Sequence, residues 1–404
     1  MKVDVHDGDA IAGIRPGAAY APATLDECAE VMALAARDGL RLGFVGGGTA
    51  LGLGAPPSRL DAVIRTEKLA RILEHAPADQ VVVVEAGVAL GALQAALAAH
   101  GQRLALDPPW PERATIGGLI ATAGFGPLRA RYGAIRDLII GVTLVRADGA
   151  IARGGGKVVK NVAGFDLPKV ACGSLGTLGL IAAAAFRLHP LPEVVQTVIA
   201  AGLSPEQVVA VIGAVRAAQL EPTCAVALTS GARFDLGLRF EGFGSGIAYQ
   251  VARVIEIAGA AGAPAAAASE EDTAAFWRRH DAVRTAAALR VRVTALPTQF
   301  PAVAARLAGV GDLAWYATLG IGYAGSAAGA ADDAAAAGSP AATLTAARAA
   351  LIADGGSLVV EHAPGDLGVE PWGPAPQSFS IMQRLKRRFD PDGRLNPGRF
   401  VGGL

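Results

Sequence analysis

The chain has little of what marks a secreted, disulfide-held or nucleic-acid-binding protein. Its 404 residues include only three cysteines, Cys28, Cys172 and Cys224. An odd number of thiols so far apart argues against a disulfide framework and a zinc cluster, and fits reduced thiols in the cytoplasm. Net charge is missing too, since 36 Lys and Arg balance 36 Asp and Glu. With lysine scarce beside arginine there is no global basic field, so nucleic acid is not an expected partner. Long apolar runs are also absent. One uncharged stretch, residues 170–186 "VACGSLGTLGLIAAAAF", is interrupted by glycines. It falls short of the roughly 18 residues of a membrane span, and reads as a buried turn followed by a strand. The opening "MKVDVHDGDAIAGIRPG" has no apolar core of a signal peptide. The expectation is a cytoplasmic chain with no transmembrane segment, and docking at the inner face of the cell membrane through partners stays open.

What the chain has in abundance is glycine, 52 residues of it, and regular alternation. Thr24 and Glu27 form a capping-box pattern ahead of the helical "LDECAEVMALAARDG". A strand "LRLGFV", a strand "VVVVEAG" and a helix "VALGALQAALAAHG" follow. "LIIGVTLVR", Asp148-Gly149 and "AIARGGG" read as a hairpin. After Pro190 and Pro192 the glycine-rich character stops and "LSPEQVVAVIGAVRAAQLEP" opens a new helix. A length of this order favours two or three domains. Residues 259–270 and 324–340 are alanine-rich, and the second stretch reads as a loop or frayed helix because Gly, Ser and Pro interrupt it.

Four glycine clusters fall in the first half: Gly46–Gly54, Thr115–Gly126, Gly154–Gly156 and Gly173–Gly179. Glycine is tolerated where backbone takes positive φ or approaches a ligand closely. Neither a dinucleotide fingerprint nor a P-loop can be read from Gly46 onward. Backbone N–H groups from Gly46 to Ala50 could instead wrap a pyrophosphate as a nest, with hydroxyls from Thr115 and Thr122 near a ring system. A long anionic ligand touching several loops accounts for the clusters together. Gly320, Gly322 and Gly325 do match a dinucleotide fingerprint, but no strand ending in an acid follows about 20 residues later, so they read as a strand end and loop.

"VGGGT", "ATIGGLIATAGFGPLRARYGAIRD", "VVKNVAGFDLPKVACGSLGTLGLI" and "FDPDGRLNPGRF" resemble the FAD-binding half of the para-cresol methylhydroxylase type. Among its branches they are most similar to the glycolate oxidase FAD-binding subunits. The resemblance implies an α+β chain. An FAD-binding domain of two α/β subdomains (residues 1–192) precedes a smaller α/β cap-like domain (193–375), and a C-terminal segment (376–404) returns to the FAD domain. It implies that Gly46, Gly47, Gly48 and Thr49 hold the pyrophosphate. Thr115, Gly117, Gly118, Ala121, Thr122 and Gly124 then line the flavin and ribityl side, and Gly173, Ser174, Gly176, Thr177 and Ile181 close the pocket by backbone contacts.

Relatives that hold flavin covalently carry a histidine after the first glycines. Thr49-Ala50 stands there, so non-covalent FAD is expected. Relatives that oxidise 2-hydroxy acids place a histidine cluster and usually a metal late in the chain. Here only His280 and His362 lie in the second half, neither with ligand spacing to another histidine, and no metal is expected. Cations beside a reduced flavin stabilise its negative edge, and Arg131, Arg136, Lys157 and Lys160 are the candidates, with Arg292 a further one for a substrate carboxylate. The implied function is that of an FAD-binding subunit in a glycolate (2-hydroxy acid) oxidoreductase, assembled with a catalytic flavoprotein subunit and an iron–sulfur subunit. A self-sufficient flavin dehydrogenase and a non-catalytic scaffold are the alternatives.

Overall fold

Thr24 starts the first helix, Leu25–Arg37, by accepting the Glu27 N–H at 3.1 Å. The returning half of the expected box is displaced by one residue: Glu27 accepts from Ala23 N at 2.6 Å, ahead of the cap. Cys28, Val31, Met32 and Ala35 form its buried stripe at helical spacing. They pack on Leu42, Ile64, Val145 and Leu180, which belong to two different sheets.

The computed structural model describes residues 1–157, 164–326, 340–363, 365 and 367–404. The chain divides into two compact units. Unit one comprises Met1–Gly126, Tyr132–Leu191 and Pro374–Leu404, and unit two comprises Pro127–Arg131 and Pro192–Gly373.

Unit one holds two principal sheets. The first contains β1 (Lys2–Val3), β2 (Ala18–Tyr20), β3 (Leu42–Val45) and β4 (Ala62–Arg65) in the order β1-β2-β4-β3. β4 runs parallel to both β2 and β3, the arrangement that helical crossovers produce. The second contains β5 (Ile72–Ala76), β6 (Val81–Glu85), β8 (Ile139–Val145), β9 (Ile151–Gly155) and β10 (Leu180–Arg187), in the order β5-β6-β10-β8-β9. All its pairs are antiparallel. β7 (Gln102–Arg103) and β11 (His189–Pro190) make a small separate ladder. β8 and β9 are the hairpin read around Asp148-Gly149, with Gly149 at φ +85°. The uncharged 170–186 stretch is a helix end, a turn and the buried β10.

The C-terminal helix, Phe379–Phe389, and the tail after it belong to unit one. Lys386 is buried there, its Nζ donating to Asp390 Oδ2 (2.7 Å), Leu395 O (2.8 Å) and Thr177 O (3.0 Å). Burial pushes this ammonium below the usual lysine range, against the pull of Asp390. Asp390 in turn accepts from Arg394 N and Leu395 N. Every polar group of the pair is satisfied, the condition under which a buried pair is tolerated.

Unit two carries one antiparallel sheet, ordered β15-β12-β14-β13-β17-β18-β16-β19. Its strands are β12 (Val194–Leu203), β13 (Cys224–Ser230), β14 (Arg233–Gly242), β15 (Ala265–Ala267), β16 (Leu289–Thr294), β17 (Asp312–Tyr316), β18 (Ile321–Ser326) and β19 (Ser357–His362). Leu236, Leu238, Phe240, Val291, Val293 and Trp315 face an apolar core, where Trp315 stacks on Phe300 at 5.3 Å. Alternation sends Arg239, Arg290, Arg292 and Tyr316 to the other face. Gly322 and Gly325 sit within β18, paired antiparallel to β16 and β17, and Gly320 ends the turn before it. That is a hairpin, not a strand–turn–helix crossover, so the fingerprint spacing is accidental. The alanine-rich 259–270 stretch is a helix end, a turn and β15. Most of the 324–340 stretch lies outside the described residues. Among the described residues no helix is long and apolar enough to cross a membrane.

Replacing Lys386 by methionine leaves Asp390 buried without its counter-charge, and is expected to cost about 3–5 kcal/mol. Urea unfolding of the flavin-free protein measures it. A loss below about 1 kcal/mol would show that the pair behaves as a solvated surface bridge.

Candidate functional site

The strand end Phe44-Val45 delivers the chain into Gly46-Gly47-Gly48-Thr49, and this loop forms one wall of a cleft in unit one. The other walls are the short helix Ile116–Thr122, the turn Leu175-Gly176, and Asn396 and Arg399 of the tail. Among the described residues lining the cleft none is acidic, and Arg399 is cationic. A depression in unit two, lined by Ala266, Ala267, Ala268, Asp272 and Arg279 among others, gathers no comparable set of donors.

The glycines have distinct physical reasons. Gly48 takes φ +72°. Gly47 does not have positive φ; a Cβ there would run into the Arg113 backbone carbonyl, whereas at Gly46 it would meet the Thr115 hydroxyl. The loop therefore lies flat against residues 113–115. Thr115 caps the helix by accepting the Gly118 N–H at 3.4 Å, and Thr122 donates its hydroxyl to Gly118 O at 2.8 Å. Both threonines are engaged by their own helix, and each keeps part of its hydrogen-bonding capacity for a ligand. The loop 173–175 then caps the other end, Gly173 N donating to Ile120 O and Leu175 N to Ala121 O, each at 2.8 Å. These bonds satisfy carbonyls that a helix end leaves without partners.

Of the expected site residues, Gly46, Gly47, Gly48, Thr49, Thr115, Gly118, Ala121, Thr122 and Gly176 converge on the cleft. Gly117, Gly124, Gly173, Ser174, Thr177 and Ile181 are not among its lining. Gly117 is packed on Ala86, Gly124 on Leu119, and Ile181 belongs to the core beneath the helix. Thr177 donates to Ser174 O at 2.7 Å, a local turn bond. The cluster Gly154–Gly156 has a separate cause, close packing on Leu167 and on the Ile140 carbonyl at the β8–β9 hairpin. The cleft thus gathers members of three of the four clusters.

The candidate cations lie elsewhere. Arg131 pairs with Glu221 at 2.9 Å in unit two, Lys157 pairs with Glu74, and Arg136 is exposed. Lys160 is outside the described residues. The residues that sequence reading missed are Asn396 and Arg399. The signal was present in "RLNPGRF", where polar groups sit in an otherwise buried tail. Arg399 donates to Leu51 O (2.8 Å) and Leu53 O (2.7 Å), and burial lowers its pKa to about 10. It stays protonated at neutral pH. Cys172 is half-buried, and burial pushes its thiol up to about 12.

Both late histidines have hydrogen-bond partners, His280 on both ring nitrogens and His362 on Nε2. His280 is buried, with Nδ1 and Asp281 Oδ1 2.9 Å apart and Nε2 and Tyr316 Oη also 2.9 Å apart. A carboxylate only accepts, so Nδ1 donates, and the neutral ring accepts the Tyr316 proton at Nε2. Burial, outweighing Asp281, holds this imidazole below its usual pKa, so it is neutral. Arg284 donates to the same Tyr316 oxygen and lies over the Tyr323 ring at 3.8 Å. His362 donates Nε2–H to Ala287 O at 2.9 Å, and burial and Arg290 keep it neutral as well. Among the described residues no three His, Cys, Asp or Glu side chains converge as metal ligands do.

A cleft whose described lining holds a glycine loop, a guanidinium, amide groups and no acid fits an anionic dinucleotide. The comparisons agree. Residues 16–155 match the FAD binding domain family, and residues 191–400 match the C-terminal domain of FAD linked oxidases. An uncharacterized FAD-linked oxidoreductase of Mycobacterium tuberculosis is 29% identical over 428 residues, covering 96% of this chain and 91% of that protein. A D-lactate dehydrogenase of Archaeoglobus fulgidus is 37% identical over 170 residues, 42% of this chain and 38% of its own length. The glycolate oxidase subunit GlcE of Escherichia coli is 37% identical over 123 residues, 30% of this chain and 35% of its own. In three dimensions the chain is similar to an alkyldihydroxyacetonephosphate synthase, with TM-score 0.68 at 17% identity over 95% of this chain and 77% of the other. That likeness concerns the fold alone.

Two expectations follow for the cofactor. Gly47→Ala should strip flavin from the protein, because the Arg113 backbone cannot yield as a side-chain tip can. Gly48→Ala should retain it at a cost of about 1 kcal/mol for left-handed backbone. Flavin absorbance after gel filtration decides, and full retention in Gly47→Ala would remove the loop from the site. Acid precipitation should release all flavin to the supernatant, since no histidine or cysteine is among the described residues lining the cleft. Colour left in the pellet would show a covalent bond.

Proposed function

The chain belongs to the FAD-linked oxidases, and from that premise we propose that it is the FAD-binding subunit of a glycolate (2-hydroxy acid) oxidoreductase. Its partners are a catalytic flavoprotein subunit and an iron–sulfur subunit. Two-electron oxidation of a 2-hydroxy acid needs a base for the hydroxyl proton, a cation for the carboxylate and an acceptor for the hydride. FAD, when bound, supplies the acceptor at its flavin N5. The glycine loop, Ala121, Thr122 and Arg399 hold and orient the dinucleotide.

The observation that carries the assignment to an accessory role is the state of the histidines. A base at neutral pH is most simply an imidazole with an accessible nitrogen. His280 has both nitrogens committed within a buried network, and His362 gives Nε2–H to the Ala287 carbonyl, which leaves only Nδ1 as its accepting nitrogen and makes His362→Gln the substitution that tests it. The similarity to a glycolate oxidase subunit supports a place in such an assembly.

One observation favours a second reading, a self-sufficient 2-hydroxy acid dehydrogenase. In Asp281–His280–Tyr316 a carboxylate orients an imidazole that accepts a phenol proton, with Arg284 on the same phenol oxygen. This is the geometry of a proton relay, and Arg292 stands on the same sheet face, 3.5 Å from Glu361. The similarity to a D-lactate dehydrogenase agrees with it.

The FAD-loaded chain alone is expected to leave a redox dye unreduced with glycolate or D-lactate. Activity should appear on co-purification with the products of adjacent genes, and should survive His362→Gln and Tyr316→Phe in this chain. Dye reduction by the chain alone, abolished by either substitution, would overturn the accessory reading in favour of the second.

A further inference from the structure

Helix Glu270–Thr285 packs on β16, β17 and β18 across the polar face of the unit-two sheet. Its buried residues, Phe276, His280, Val283 and Arg284, follow helical spacing. Only Phe276 and Val283 are apolar, so the helix is seated as much by bonding as by packing. The bonding runs through one phenol oxygen. Tyr316 Oη lies 2.9 Å from His280 Nε2 and accepts from Arg284, while His280 Nδ1 donates to Asp281 Oδ1 at 2.9 Å.

That arrangement requires an uncharged imidazole. With Nδ1–H given to Asp281, it is Nε2 that accepts the Tyr316 proton. A protonated ring carries hydrogen on both nitrogens and accepts nothing. It then presents a second cationic donor to the oxygen that Arg284 already holds. The charged and titratable groups around the ring come from every neighbouring element. Its own helix supplies the exposed Asp281 and the buried Arg284. β14 supplies Arg239, stacked over the Trp277 ring that abuts His280, with Glu241 3.9 Å from it. β18 supplies Tyr323 beneath Arg284, β16 supplies Arg290 and Arg292, and β19 supplies His362 and Glu361, the latter 3.5 Å from Arg292. Burial has the largest influence and lowers the imidazole pKa; Asp281 opposes it, and Arg284 and Arg239 add to it.

We propose that His280 is an acid-sensitive latch: the neutral ring seats the helix on the sheet, and protonation releases the helix from His280 onward. The hydrogen bonds of Arg279 to Asp235 and to Thr229 O, at 2.8 and 2.7 Å, involve no imidazole and keep the first half in place. An imidazole freed to water titrates near pH 6.5, and the seated ring titrates below that. Between the two values the released form binds more protons than the seated one. Seating is therefore strongest above about pH 6.5 and weakens as pH falls toward the seated pKa, below which the loss levels off. With one proton linked, release grows by at most about tenfold per pH unit. The latch depends on neither the cofactor nor the partner reading.

The test is amide hydrogen exchange on the full-length protein with FAD present, from about pH 7.5 down to about pH 5, a window that spans free imidazole. Labelling times are scaled to the intrinsic exchange rate at each pH, and peptides covering residues 280–288 are read by mass spectrometry. Their protection should fall by up to about tenfold per unit below about pH 6.5, while peptides from β12, β13 and β14 stay level. His280→Gln offers Tyr316 an amide acceptor that does not titrate, and should flatten the profile. His362→Gln, at the other late histidine, should leave the acid slope in place. Level protection of residues 280–288 in the parent would overturn the latch, and that result needs no variant to fold. An undiminished acid slope in His280→Gln would overturn it too. So would a slope that vanishes in His362→Gln, which would move the titrating group to β19.

Discussion

The return of the C-terminal segment, from Lys386 onward, to Leu42 is the constraint on which unit one depends. The tail adds to the parallel sheet as a bridge, Leu42 beside Leu395, and from that anchor its side chains reach three places. Lys386 holds the Thr177 carbonyl, Asn396 the Leu175 carbonyl and Arg399 the Leu51 and Leu53 carbonyls. Arg394 adds a bond to Ala147 O at 2.6 Å. Two glycine-rich loops about 130 residues apart in sequence are thus set against each other by a segment from the far end of the chain. Loops of this kind have little side-chain packing of their own. Their relative position has to come from bonds to a rigid element, and here it comes from the tail. Such contacts are also costly to form early, because the whole intervening chain must be closed first.

How much of this was visible in the sequence follows from what glycine and polar residues disclose. A run such as Gly46-Gly47-Gly48 discloses that a side chain is not tolerated, and that was enough to find one wall of the cleft. It does not disclose whether backbone geometry, a ligand or a neighbouring carbonyl excludes the side chain. Gly48 answers to the first and Gly47 to the third, while Gly155 packs on Ile140 far from the cleft. The resemblance groups Ile181 with the site through its backbone, while its side chain faces the core, one residue of strand pleat separating the two roles. Asn396 and Arg399 escaped for the opposite reason. Polar residues near a chain end usually face water, and only the burial of the tail gives them meaning.

The hairpin pattern around Asp148-Gly149 and the helix starts at Thr24 and Ser204 were legible because each is settled within a few residues. The spurious dinucleotide fingerprint at Gly320–Gly325 fails on a property that is not local. Such a site needs a strand that crosses through a helix into a parallel neighbour, and β18 instead turns back beside β17. Spacing alone cannot distinguish these, since Gly322 is there to let Trp315 and Val293 pack closely.

Unit two poses a sharper question about its polar sheet face. In a sheet with one apolar face, the other is ordinarily wet and its charges cost little. Here Arg284 and Tyr323 are buried, and Arg239 lies over the Trp277 ring at 4.2 Å. Desolvating guanidinium groups is expensive unless each has partners, and this network supplies them through Tyr316, Tyr323 and Glu361. A merely solvated surface would not need such an arrangement. Burial raises the Tyr323 phenol above its ordinary range despite Arg284 and Arg292 nearby, so that hydroxyl remains a proton donor at neutral pH. The His280 ring, kept neutral, remains an acceptor. The face therefore holds a donor, an acceptor and fixed positive charge in one dry cluster. Either that cluster handles protons, or it is what keeps the helix Glu270–Thr285 seated on the sheet, and in both cases it depends on His280 staying uncharged. Protonation of His280 would leave two cations, the imidazolium and the Arg284 guanidinium, facing one phenol oxygen.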